Sequence, residues 1–454
     1  MKKWLRYLRL RPFDVATEAG RSEERYRLAL WSIVANVLSK SVAMLVMLLS
    51  VSWTLPYLGA ERFGVWMTIA SFVSMLLFLD LGIGNALTNH VADAAAVANS
   101  DLLVDRISGG LGLVFIVGVL SSLLLSALVA ILPWASIIKV QDPLVQREIS
   151  DALFLFAILF GLSLFSNGVH KVFAGLQRSF EGHVAAAIGS LLSILTLWWA
   201  AASQAGVATL LLATLGWQSA SSLILLCLLV KRRQLRLQGI GAAIRAGKAP
   251  LLKTGGLFFI LQIGTMVGWG ADSLIISSTL GAAQVAIFSV TQRLFQFVTI
   301  PLAITNAPLW GAYADARARG DKNFILKTLN KSLMLTGGAT LLGSGLLLFV
   351  GPELIQHWTL GNLAVPFTLI LTMAIWTLCE TVGNSFAMMM NGCGIVKPQV
   401  IAVSVFVFLA LPLKTVAVHI GLPWMVAATI VSYVLAVPVL YAILFKIAKF
   451  EVFK

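Results

Sequence analysis

The sequence predicts an all-α integral membrane protein of about twelve transmembrane helices, arranged as two six-helix lobes related by a parallel repeat, with a central cavity. Three observations carry that expectation. First, 59% of the 454 residues are apolar and only 11% are charged, and the mean hydropathy is +0.92. That leaves too little polar surface to cover a soluble body of this length. Second, apolar windows of roughly 20 residues, each long enough to cross about 30 Å of hydrocarbon as a helix, recur along the whole chain. Third, the second half of the chain echoes the first. Continuously apolar stretches such as residues 111–132 argue against a β-barrel, whose strands alternate in polarity over about 10 residues.

The elements follow in order. Residues 1–29 form a basic cytoplasmic segment whose start, MKKWLRYLRLRPF, interleaves Lys and Arg with Trp4, Leu5, Tyr7, Leu8 and Phe13. It has no apolar centre of the kind a secretory signal needs. Two readings stand: a helix lying on anionic lipid, or a basic tail that holds the N-terminus inside. The N-terminal lobe, 30–230, carries spans at 30–52, 63–84, 108–132, 151–172, 184–202 and 207–230. A basic linker, 231–253, is either an amphipathic surface helix or a plain connector. The C-terminal lobe, 254–446, carries spans at 254–279, 283–310, 332–351, 363–388, 399–418 and 424–445, and a cytoplasmic tail occupies 447–454.

An even number of spans places both termini on one side. If that side is cytoplasmic, the inner segments hold roughly 27 of the 33 Lys and Arg residues and the outer loops roughly three, which sets the orientation. The net charge of +14 is therefore topogenic, spread over short loops, and does not form a nucleic-acid surface. Cys227, Cys379 and Cys393 have no paired spacing, and the five histidines are scattered, so neither a disulfide framework nor a metal site is expected.

The repeat appears when LGAERFGVWMTIASFVSMLLFLDLGIGNALTNHVADA, from Leu58, is set against LGAAQVAIFSVTQRLFQFVTIPLAITNAPLWGAYADA, from Leu280. The shift is roughly 222 residues, about half the chain, so each half is one unit of about six spans. Both copies open on Leu-Gly-Ala and end on Ala-Asp-Ala. Equal, even-numbered halves insert the same way round, an arrangement that in transporters leaves a cavity between two rocking lobes.

Ionisable groups inside spans are costly and usually face a cavity or a partner. Counted at 1.5 Å per residue, Lys40 and Arg293 lie roughly 15 Å deep, near the midplane. Two cations at one level, one from each lobe, would bracket an anion. Asn36 shares a face with Lys40, and Gln292 and Gln296 flank Arg293. Gln262, Thr265, Trp269 and Asp272 form a helical stripe on the seventh span, with Gln262 at the repeat position of Lys40. Arg293 either contacts substrate or pairs with Asp272 across a tight hairpin. Glu380 lies near the inner end of the tenth span, as a gate or an ion-coupling group. Lys414 is expected to snorkel to the outer interface.

Asp80, in LFLDLGIGNALTNHVADA, sits near the cytoplasmic mouth, too shallow for a midplane proton relay. Its glycines do not make a phosphate cradle, because Leu87 stands where a dinucleotide fingerprint needs a third Gly and no strand precedes them. Asp80 is a candidate cytoplasmic gate, grouped with Asp272 and Glu380 as gating or ion-coupling residues.

The runs LGAERFGVW and LFLDLGIGNALTNHVADA, the later GADSLIISSTLGAAQVAIFSVTQRLF, and the turns FAGLQRSFEGH and MMNGCGIVKPQ resemble the polysaccharide flippases. These are the Wzx-type, O-antigen transporters of the multidrug/oligosaccharidyl-lipid/polysaccharide exporter superfamily. The resemblance spans most of the chain and is most specific over 58–94. It implies a two-lobed fold of twelve to fourteen helices in the bacterial inner membrane. The implied activity moves undecaprenyl-diphosphate-linked oligosaccharide repeat units from the cytoplasmic to the periplasmic leaflet for surface polysaccharide synthesis. The substrate and membrane lipids would be its main partners, with a polysaccharide polymerase and a chain-length regulator as protein partners. No cofactor is implied, and the coupling ion would be H⁺ or Na⁺. The family's cationic lumen would correspond by type and depth to Lys40 and Arg293, whereas Asp272 and Glu380 make this cavity less purely cationic. A lipid II flippase and a multidrug or cation antiporter of the same superfamily are the alternatives. A membrane polymerase or ligase fits less well, because the outer loops are short and no acid/base pair or metal cluster emerges.

Overall fold

A computed structural model of the protein describes Phe13, Gly241 and residues 18–76, 83–96, 100–140, 143–236, 270–306, 309–318, 320–395 and 397–437. The first two predicted spans run as one helix, α1 (Glu18–Leu76), broken where Gly59 leaves helical geometry at φ 70°, ψ 172°, three residues after Pro56. A short helix α2 (Ile83–Ala96) leads into α3 (Ser100–Ile131), and a single turn α4 (Trp134–Ile137) precedes α5 (Pro143–Gly175) and α6 (Ser179–Ala202). Helix α7 (Val207–Lys231) contains a wider π-turn at Leu212–Gly216. The second half contributes α8 (Asp272–Leu280), α9 (Ala282–Asn306), α10 (Leu309–Ala318), α11 (Lys322–Trp358), α12 (Phe367–Gly392), α13 (Lys397–Ala417) and α14 (Leu422–Ala436).

No strand occurs among the described residues, and nine of their helices are long and apolar enough to cross a bilayer. Helices suit this solvent because each closes its own backbone hydrogen bonds where lipid offers none. Many large apolar side chains face outward: Phe349 is 84% exposed, and Met334, Leu342 and Phe408 are 79% exposed. Helix α11 is longer than predicted, 37 residues against the 332–351 expectation. It exceeds the roughly 20 that hydrocarbon requires, and its extra N-terminal turns carry Lys322, Lys327 and Lys331. The predicted span 283–310 instead closes at Asn306.

The repeat recurs in the backbone. Gly281, the partner of Gly59 under the shift, adopts φ 92°, ψ 165°, nearly the same rare conformation. The two Ala-Asp-Ala motifs also lie on equivalent short helices, α2 and α10.

The described residues sort into two compact units, one drawn from Met1–Ser50, Leu76–Pro133 and Arg147–Phe259, the other from Val51–Met75, Trp134–Gln146 and Ile260–Lys454. In the first, Leu87, Val91, Ile107, Leu111, Val169, Phe173, Leu225 and Leu229 pack into one core. One end of it is tied by Arg232, which donates to both carboxylate oxygens of Glu181 (2.9 and 3.1 Å), while the Arg236 amide donates to Ser108 Oγ (2.9 Å). In the second unit, Phe406 and Trp376 meet Tyr433 edge-on at 6.0 and 5.5 Å, joining α12, α13 and α14. The segment 1–12 and most of the linker, each read as either an amphipathic surface helix or a plain basic stretch, lie outside the described residues.

Candidate functional site

In the second unit, α9, α11 and α12 are joined by hydroxyls and amides as well as by apolar groups. Ser332, Thr336, Thr340 and Ser344 recur every fourth residue on α11, and Thr377, Thr381 and Ser385 do so on α12, so each set occupies one helix face. Thr340 and Thr381 share a hydrogen bond of 2.9 Å, and Thr336 and Ser385 one of 3.1 Å. Asn306, at the C-terminal end of α9, completes the set: its Nδ2 donates to Ser385 Oγ (3.2 Å) and its Oδ1 accepts from Ser332 Oγ (3.2 Å). All of these side chains are buried except Asn384, half-buried, to which Asn306 also reaches (3.5 Å). Polar groups this deep need partners, and the spare donors and acceptors of Thr381, Asn306 and Asn384 border a cavity.

That cavity, of about 110 Å³, is lined by Thr299, Ile300, Leu302, Ala303 and Asn306 from α9 and by Glu380, Thr381 and Asn384 from α12. It has room for a few waters or a partly hydrated cation. Glu380 and Asn384 are four residues apart on one helix face, so a carboxylate and an amide point into the same space. Glu380 was expected from the sequence. Asn306, Thr381 and Asn384 were not, although the Glu-x-x-x-Asn spacing and the fourfold Ser/Thr repeats were legible.

Arg293, half-buried on α9, donates from Nη2 to Met67 Sδ at 3.0 Å. Gln292 beside it is exposed and Gln296 half-buried. The alternative in which Asp272 neutralises Arg293 is corrected: Asp272 Oδ1 accepts from Lys414 Nζ at 2.7 Å. The snorkelling expected of Lys414 is corrected with it. Its side chain is 1% exposed, because α13 turns it inward onto the carboxylate that opens α8. An unpaired ammonium at that depth would be too costly, whereas a paired one is tolerated.

Lys40 and Asn36 belong to the first unit, where Lys40 is exposed and Asn36 half-buried. Lys40 lies within electrostatic reach of His183 at the start of α6. Near it, His170 Nδ1 bonds the Ser166 carbonyl at 2.9 Å. Asp80, Gln262, Thr265 and Trp269 lie outside the described residues. Among the described residues no group of three or more His, Cys, Asp or Glu side chains could hold a metal ion.

No protein-family model matches the chain. It is 20% identical over 408 residues to a Yersinia pseudotuberculosis protein named "Putative O-antigen export protein", covering 88% of this chain and 91% of the relative. In fold it is similar to a multidrug resistance MATE family transporter of the MOP superfamily. The inward-facing structure of such a transporter superposes with a TM-score of 0.74 at 15% identity, over 92% of this chain and 99% of the other. An outward-facing structure gives 0.63 at 15% identity, over 93% and 96%. The chain is thus an all-α, multi-pass membrane protein with the fold of these transporters. The proteins it resembles are named as exporters and transporters, not as enzymes.

Proposed function

We propose that this protein, which has the MATE transporter fold, is a flippase. It moves undecaprenyl-diphosphate-linked oligosaccharide from the cytoplasmic to the periplasmic leaflet of the bacterial inner membrane, with both termini cytoplasmic, by alternating access. The observation that carries the reading is the near end-to-end likeness to a protein named for O-antigen export. Physical chemistry supports it. A sugar diphosphate head is anionic and heavily hydrated, and its passage through bare hydrocarbon would cost far more than a few kcal/mol. Lys40 and Arg293, cations within apolar spans, supply charge-assisted hydrogen bonds to such a diphosphate. Asn36, Gln262, Trp269, Gln292 and Gln296 offer amides and an indole face to the sugars. A polysaccharide polymerase and a chain-length regulator would act on the delivered unit.

Coupling to H⁺ or Na⁺ is assigned to the cavity of Glu380, Asn306, Thr381 and Asn384, where a carboxylate sits among neutral oxygens. Asp80 and Asp272 are the other acids weighed for gating, and the bond of Asp272 to Lys414 makes a bracing role the simpler one for it. A cation antiporter of the same fold is the second reading, favoured by Glu380 and by the multidrug transporters among the structural neighbours. The two cations inside the spans oppose a cationic substrate.

In cells dependent on this protein for surface polysaccharide, Lys40→Ala or Arg293→Ala alone should lower output, and the double variant should abolish it, at unchanged membrane levels. Full output from the double variant would remove the cationic path. In the same assay Glu380→Gln should lower output and flatten its dependence on the proton or sodium gradient; an unchanged gradient dependence would place coupling elsewhere.

A further inference from the structure

In the first unit, two imidazoles and an ammonium from three helices come within reach of one another. His183, half-buried at the start of α6, lies in the electrostatic field of His170 on α5 and of the exposed Lys40 on α1. The His170 ring is fixed in place. Its Nδ1 bonds the Ser166 carbonyl, one turn earlier on α5, at 2.9 Å, and because a carbonyl only accepts, that nitrogen carries a proton. The ring also lies on the backbone of Gly182, where a Cβ would come within 3.2 Å of Cδ2, and the Gly182 carbonyl faces it. A neutral imidazole has one N–H to give, whereas an imidazolium has two and can serve both carbonyls.

The other charged groups at this end are already engaged. Glu181, two residues before His183, accepts from Arg232 just past α7 (2.9 and 3.1 Å) and from Arg178, the N-cap of α6. Two guanidiniums on one carboxylate leave that trio with a net positive charge. Helices α2 and α3 meet the glycines of α5 through Thr88, Val91 and Val114, which bring no charge. A charged His183 and Lys40 therefore repel each other until an anion joins them.

We propose that His183 and His170 form a proton-binding extension of the Lys40 anion site, so that a diphosphate and protons bind there together. The inference rests on the flippase reading above, in which Lys40 meets a diphosphate, and it deepens that reading by making the affinity depend on pH. A phosphate oxygen placed between Lys40 and His183 offsets their repulsion and accepts a charge-assisted hydrogen bond from the imidazolium, while His170 adds its charge from α5. Each anion that binds then draws protons from the medium. By linkage the effect is reciprocal: acid tightens the anion and alkali loosens it.

The test is binding of farnesyl diphosphate to the purified full-length protein at about pH 8 and about pH 6, either side of the ordinary histidine value of about 6.5. Affinity in the unmodified protein should tighten about five-fold or more on acidification. The tightening should be several-fold smaller in His183→Gln and in His170→Asn, an uncharged variant that keeps a donor for the Ser166 carbonyl. The ligand's own titration is common to all three proteins, so the difference between them is what is read. Inorganic pyrophosphate run in parallel separates a site for the diphosphate alone from one that also needs the lipid, and a pH dependence with either keeps the site. Proton uptake on adding farnesyl diphosphate to weakly buffered protein should fall in the same variants; if His170→Asn does not accumulate, His183→Gln decides by both readouts. Equal pH dependence and equal proton uptake with and without the histidines would overturn the proposal and leave the flippase reading standing. Failure of the unmodified protein to bind at either pH would remove the Lys40 anion site, and the histidine extension with it.

Discussion

Lys414 and Asp272 form a charge pair between α13 and α8. The ammonium is 1% exposed and the carboxylate 14%, with 2.7 Å between them. Breaking a buried pair by removing one member costs about 3–5 kcal/mol, whereas replacing both by apolar groups is often neutral. Asp272→Ala should therefore lower the thermal unfolding midpoint of the detergent-solubilised protein sharply, and Asp272→Ala with Lys414→Met should recover most of the loss. A double variant as unstable as Asp272→Ala alone would show that the pair does not brace α8 against α13. The sequence made each charge visible and assigned its depth, but not its partner. Counting along a helix gives height in the membrane and leaves rotation undetermined, and the true partner lies 142 residues away. Arg293, on the next span, is the cation that a tight hairpin would bring to Asp272, and it donates to Met67 Sδ.

At the scale of elements, the repeat was read from Leu-Gly-Ala and Ala-Asp-Ala, and the backbone explains why the glycine persists in both halves. Gly59 at φ 70°, ψ 172° and Gly281 at φ 92°, ψ 165° occupy a region that is essentially confined to glycine. A methyl group at Gly281 would meet nothing nearer than the Lys139 carbonyl oxygen at 4.0 Å, so Gly281→Ala should strain the backbone without a clash. The expected loss is about 1–3 kcal/mol in thermal unfolding. A loss near zero would mean that the outer turn accepts another conformation. The fourfold Ser and Thr spacing on α11 and α12 was equally legible, yet it was passed over because apolar windows dominate hydropathy reading. A hydroxyl every fourth residue barely lowers the mean, although it lays a continuous polar stripe along one face. Boundaries were less accessible: α11 overruns its predicted span because its extra turns lie beyond the hydrocarbon, where hydropathy no longer marks a helix.

For the whole molecule, 59% apolar residues in a chain of 454 marked a membrane protein, and continuously apolar stretches of about 20 residues, in place of alternating ones, made it all-α. The grouping of its segments was not legible. Val51–Met75 and Trp134–Gln146 sort with the second half of the chain, through contacts as small as Gly64 on a carbonyl, and a hydropathy profile has no sensitivity to which apolar faces meet. The function proposed above belongs to this scale too: on that reading, export of a lipid-linked head depends on the cations and the coupling cavity acting in one cycle. The measurement that tests this most directly is the leaflet distribution of lipid-linked oligosaccharide in cells lacking the protein, read by a membrane-impermeant sugar-oxidising or sugar-binding probe on intact spheroplasts and again after lysis. The flippase reading predicts lipid-linked sugar that accumulates and stays hidden until lysis, becoming accessible from outside when the intact gene is restored. Lipid-linked sugar equally accessible on intact spheroplasts with and without the protein would contradict it.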